Sequence, residues 1–151
     1  MYKTLKYHIA VSYHQQQVLQ SYRKQYKECL WEILQHFYYH QSMRYHPHTI
    51  SDIICKESKW ELYRLAKKQY EQYQKHQQLK LRNVCIWNVA NVTLETQRIT
   101  LGFGKDFSVA QETFVILCEK EEWQKTNDLQ LCRIDLVWDD HYWFVNLLFH
   151  S

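Results

Sequence analysis

An α+β fold, a small antiparallel β-barrel with a helical insertion after its first strand, is predicted by three observations. Apolar residues alternate with polar ones at Leu5, Tyr7, Ile9 and Val11, the period of a half-buried strand. Apolar residues then recur at spacings of three and four through residues 19–37 and 62–73, the period of helices. From Leu79 onward, runs rich in Val, Ile, Leu and aromatics return to strand character. The order is one strand, then helices, then about five strands. A first strand that rejoins the later sheet makes the helices an insertion, and closing that sheet removes its edges. The expected division is a β-barrel domain of residues 1–12 and 79–151 around a helical insertion of residues 13–78.

After the first strand, Ser12 with Gln15 three residues on forms a capping-box signature for a helix running to about Tyr39. Its apolar face is Leu19, Tyr22, Tyr26, Leu30, Ile33 and Phe37. Gln41 to His48 holds the only proline, Pro47, and reads as a connector. A short apolar pattern follows at Ile50, Ile53 and Ile54, and Ser58 with Glu61 reads as a second capping box. The next helix has Leu62, Leu65, Ala66 and Tyr73 on one face. Arg64, Lys67, Lys68 and Lys75 share the opposite face, interrupted by Glu71. Strands are expected at Leu81–Val89, Arg98–Phe103, Phe114–Glu119, Leu129–Trp138 and Tyr142–Phe149. The phase slip between Leu131 and Ile134 predicts a bulge, and Asp139-Asp140-His141 predicts a tight turn.

Composition removes several classes of function. With 46% hydrophobic residues in 151, including 6 Trp, 12 Tyr and 6 Phe, the chain has the material for a core. Only 2 Gly and 1 Pro are present, which argues against glycine-built phosphate loops. No segment approaches the roughly 20 apolar residues that cross a bilayer. Cys29, Cys55, Cys85, Cys118 and Cys132 are odd in number and widely spaced, so reduced, core-filling thiols in the cytoplasm are expected. Charge is uneven: residues 1–78 carry a net +6 and residues 79–151 a net −3, within the overall +3. An anionic partner would therefore meet the first half.

Catalytic chemistry finds little support. His36 and His40 share a helix face at a spacing zinc helices use, but the zincin glutamate is missing and Phe37 follows His36. His46 and His48 flank Pro47 and read as solvated side chains. Gly102 and Gly104 suit a hairpin turn or bulge better than a nucleophile elbow, and the adjacent acids of Glu121-Glu122 and Asp139-Asp140 diverge from one another. The positive signal is the row Arg64, Lys67, Lys68 and Lys75, suited to successive phosphates, with Trp60 and Tyr63 nearby for stacking on unpaired bases. Arg23, Lys24 and Lys27 on the first helix, and Lys3 and Lys6 on the first strand, are further phosphate candidates. By spacing alone an ordinary solvated helix face is the better explanation of the row.

The order of segments adds a resemblance. Tyr2-Lys3-Thr4-Leu5-Lys6-Tyr7-His8-Ile9 resembles the opening strand of TnpB proteins, the transposon-encoded RNA-guided nucleases related to type V CRISPR effectors. A polar turn with Gln and a long aromatic-containing helix, here Gln15–Tyr39, come next in that family. Cys132 to Trp138, a short polar turn, and Tyr142 to Leu147 are similar to its last barrel strands. The resemblance spans the whole chain and the family's front lobe, a wedge barrel with a helical recognition insertion. The RuvC nuclease domain would begin near residue 151. The resemblance implies a non-catalytic, cofactor-free lobe that holds a structured guide RNA and the duplex it forms with target DNA. A RuvC-bearing partner chain would then supply cleavage. Two other readings stay open: an adaptor that binds protein and no nucleic acid, and a small enzyme using His36, His40 or Asp140.

Overall fold

The computed structural model describes residues 1–139 and 142–151, so Asp140 and His141, two of the three residues of the expected turn, lie outside the described residues. Strand β1 (Tyr2–Ala10) leads through Ser12 into helix α1 (Tyr13–His40). The capping box forms as expected: Gln15 N–H donates to Ser12 Oγ and Ser12 N–H to Gln15 Oε1. Gln15 Nε2 also donates to the Thr113 carbonyl, tying the start of α1 to the sheet. All six residues of the expected apolar face of α1 are buried to 1% exposure or less. A short 3-10 turn (Pro47–Thr49) interrupts the connector before helix α2 (Lys56–His76). With only 2 glycines in the chain, glutamines take the left-handed position that ends each helix, Gln41 (φ 48) and Gln77 (φ 57).

The second capping box does not form. Helix α2 begins at Lys56, with Cys55 at its cap and no side-chain hydrogen bond there. Ser58 lies inside the helix, fully buried. Its hydroxyl donates to Asn91 Oδ1 at 2.6 Å and accepts from Asn88 N–H at 3.1 Å. A tertiary partner outcompetes the local cap.

The remaining strands are β2 (Val84–Asn88), β3 (Val92–Glu95), β4 (Arg98–Gly102), β5 (Gln111–Leu117), β6 (Gln130–Trp138) and β7 (Trp143–His150). A short helix α3 (Lys120–Gln124) precedes β6. Both β3 and α3 are absent from the sequence-based expectation. Among the described residues the seven strands form one antiparallel sheet in the order β2-β6-β7-β1-β5-β4-β3. The first strand thus sits in the middle of the later sheet, and the helices are inserted after it. The expected bulge lies between Leu131 and Arg133 of β6, opposite Phe149 and Leu148.

The sheet curls into a half-barrel, for a reason visible in its topology. Strands β2 and β3 lie at opposite edges, yet only Val89–Asn91 separates them. The two edges must therefore approach at that turn. Trp87 of β2 donates its indole N–H to the Gly102 carbonyl of β4 at 2.8 Å, across the gap. Inside the curl, the Tyr22 ring of α1 stacks on Trp87 (5.0 Å between centroids) and meets Phe103 and Phe107 edge-on. Helices and sheet bury their apolar faces in one continuous core. Gly104 has no room for a side chain, because a Cβ there would collide with the Asp52 carbonyl oxygen. Its own N–H donates to the Ile53 carbonyl, so the loop after β4 is laced to the segment before α2.

Candidate nucleic-acid interface

On α2 the burial of Leu62, Leu65 and Ala66 against the core turns the opposite side outward. Arg64, Lys68 and Lys75 are exposed and Lys67 is half-buried. Arg64 pairs with Glu61 one turn earlier at 3.0 Å, a surface contact of small energetic weight. Lys67 lies with its Nζ 5.5 Å from the centre of the Tyr63 ring. Lys68 and Lys75 have no carboxylate partner among the described residues. Trp60 is exposed and meets Tyr63 edge-on at 6.1 Å, whereas the half-buried Tyr63 donates its hydroxyl to the Met43 carbonyl.

The secondary candidates divide. Lys24 on α1 is exposed. Lys27 donates to Asn83 Oδ1 at 2.8 Å. Arg23 stacks over the Trp138 ring at 3.9 Å, and one of its guanidinium nitrogens is buried without a hydrogen-bond partner among the described residues. That packing ties it to the sheet. Lys3 and Lys6 are both exposed, but their odd and even positions put them on opposite faces of β1, with Lys6 over the Phe144 ring. The structure thus assembles the α2 row, groups Arg23, Lys24 and Lys27 on α1 with Arg23 packed on Trp138 and Lys27 bound to Asn83, and leaves Lys3 and Lys6 on opposite faces of β1.

Two features near the row escaped sequence reasoning. Trp31, Leu34, Tyr38 and Tyr39 of α1 and Tyr70 and Tyr73 of α2 line an aromatic groove between the helix ends, with a cavity volume of about 290 Å³. Trp31, Tyr38 and Tyr39 are exposed. On the connector side, His36, Arg44, Tyr45, His46, Thr49 and Tyr63 surround a second cavity of about 830 Å³. The signal for it was an acid-free run, Arg44-Tyr45-His46, inside a segment that reads only as a connector.

Metal chemistry gains no support. The His36 and His40 rings lie 4.3 Å apart, and among the described residues no three His, Cys, Asp or Glu side chains converge to hold an ion. The five cysteines are free thiols. Burial pushes Cys29 up to about 11 and raises Cys85 well above the ordinary thiol value, so both stay protonated. Among the described residues, no helix is long and apolar enough to cross a membrane. No protein-family model matches the chain, and no curated protein matches it.

Proposed function

We propose that this chain is a non-catalytic nucleic-acid-binding lobe of a TnpB-like, RNA-guided DNA-targeting complex. It holds guide RNA and the guide–target duplex by their backbones while a RuvC-bearing partner cuts. The observation that carries the reading is the α2 row: Arg64, Lys68 and Lys75 face solvent, and two of the three lack any carboxylate partner among the described residues. Cations held on one rigid helix face, one to two turns apart, suit phosphates on a strand or duplex and read no sequence. The curled sheet with helices inserted after its first strand agrees with a wedge barrel and its recognition insertion.

The test is purification from cells carrying the native genomic neighbourhood, followed by sequencing of the associated RNA and a salt titration of its affinity. Replacing Arg64, Lys67 and Lys68 together with Gln is expected to weaken binding. It should also flatten the dependence of log affinity on log salt by about 2 to 3. An unchanged slope rejects the phosphate assignment. The aromatic groove favours a second reading, an adaptor that docks on protein. Recovery of protein partners without RNA selects it.

A further inference from the structure

The cavity beside the connector has a chemistry the α2 row lacks. Its lining, from α1, the connector, the 3-10 turn and α2, contains one arginine, two histidines, two tyrosines and a threonine, and no carboxylate. Glu32, one turn before His36 on α1, is not part of it. Three of these side chains are spent on holding the connector in shape. His36 Nε2 donates to the Arg44 carbonyl at 3.2 Å, Tyr63 Oη to the Met43 carbonyl at 2.8 Å, and Thr49 Oγ1 to the His46 carbonyl at 2.7 Å. The Arg44 guanidinium has no ion-pair partner among the described residues and is exposed, as is His46. Tyr45 is half-buried, its ring braced edge-on by His36 at 5.1 Å and by Phe37 at 6.4 Å. Lys67 extends the positive edge over Tyr63 toward the α2 row.

We propose that this cavity is a nucleotide site: Arg44 and His46 take the phosphate, and Tyr45 and Tyr63 take the base. A braced backbone with a free guanidinium suits an anion, since arginine forks onto phosphate oxygens. Tyrosines at the same opening suit an unpaired base, because stacking accepts any base. A volume of about 830 Å³ is ample for one nucleotide. The ligand is either a free nucleotide or one nucleotide of a single strand; in the strand form the proposal rests on the nucleic-acid reading above.

The experiment uses the full chain with three probes: inorganic phosphate, uridine monophosphate and a single-stranded uridine decamer. Binding is followed by NMR of the arginine Nε–H and histidine ring resonances, and for the decamer by fluorescence anisotropy over a salt series. The decamer is expected to lose about fivefold or more in affinity on Tyr45→Leu. On Arg44→Gln its salt slope should drop by about 0.7. Shifts at Arg44 and His46 with the monophosphate establish the site for free nucleotides as well. A response to the decamer alone, lost in Arg44→Gln, establishes it for strands. Inorganic phosphate binding as tightly as the monophosphate overturns the nucleotide assignment. Decamer binding that survives Arg44→Gln and Tyr45→Leu but falls in Arg64→Gln/Lys68→Gln overturns the site and leaves the binding lobe standing. If none of the probes binds the wild-type chain, the nucleotide site fails, and the guide-RNA reading is decided separately by the co-purified RNA and its salt slope.

Discussion

Lys59 is the most deeply buried charged side chain on α2, with its side chain 6% exposed. Its ammonium donates to Asp52 Oδ1, and Lys105 approaches the other carboxylate oxygen at 3.5 Å. The hydrogen bond from Lys59, then its charge, hold the Asp52 carboxyl below the ordinary aspartate value. A carboxyl more acidic in the folded than in the unfolded chain contributes stability at neutral pH. That contribution is complete above the unfolded value, near 4, and disappears as pH falls through the lowered folded value. Asp52→Asn is therefore expected to be less stable than wild type at pH 7 in urea unfolding, with the gap closing below about pH 4. A gap independent of pH would mean that the carboxylate charge is irrelevant to Lys59. Nothing in the sequence announced this pair, because Asp52 lies seven residues before Lys59 in a non-helical segment. The same holds for Gly104, whose need for a missing side chain arises from a backbone 52 residues away in the chain.

Elements whose signals are local were legible, and elements set by distant partners were not. Ser12 and Ser58 carry the same four-residue pattern, yet only Ser12 caps a helix, because the Ser58 hydroxyl finds Asn88 and Asn91 instead. Strand β3 has only four residues and turns into β4 through Gln97 at φ 55, without the Asn-Gly or Asp-Gly that marks such hairpins. Helix α3 has five residues, too few for periodicity. The two serines make a paired prediction. Ser12→Ala removes an exposed cap and is expected to cost about 1 kcal/mol. Ser58→Ala strips the part-buried Asn88 N–H and Asn91 amide oxygen of their partner and is expected to cost more, about 1–3 kcal/mol. Equal losses in urea unfolding would contradict the tertiary role given to Ser58. The candidate site divides along the same line. Helical spacing revealed the α2 row, whereas the cavity at Arg44 and Tyr45 depends on α1, the connector and α2 meeting, which no window of sequence contains.

At the scale of the whole molecule, the order strand, helices, strands was readable, but the way the curled sheet meets the helices was not. Tyr22 shows the consequence. It comes from the helical insertion, yet besides Tyr26 on the same helix its ring meets Trp87 of β2 and Phe103 and Phe107 of the loop after β4. Removing it opens a cavity where helix and both approaching sheet edges converge. Tyr22→Ala is expected to cost about 3–5 kcal/mol, as for other large aromatic truncations in a core. Because the core is continuous, the loss should register everywhere at once. Native-state hydrogen exchange then reports equal loss of protection in α1 and in the central strands β7 and β1, two and three strands from β2 and its Trp87. If α1 loses protection while β1 and β7 keep theirs, helices and sheet are separate cooperative units, and the insertion can move against the barrel. Equal loss makes α1 and the sheet one cooperative unit. The spacing of the α2 row and the connector cavity is then set by the fold itself, as the proposed phosphate contacts, which fix register without reading sequence, would use.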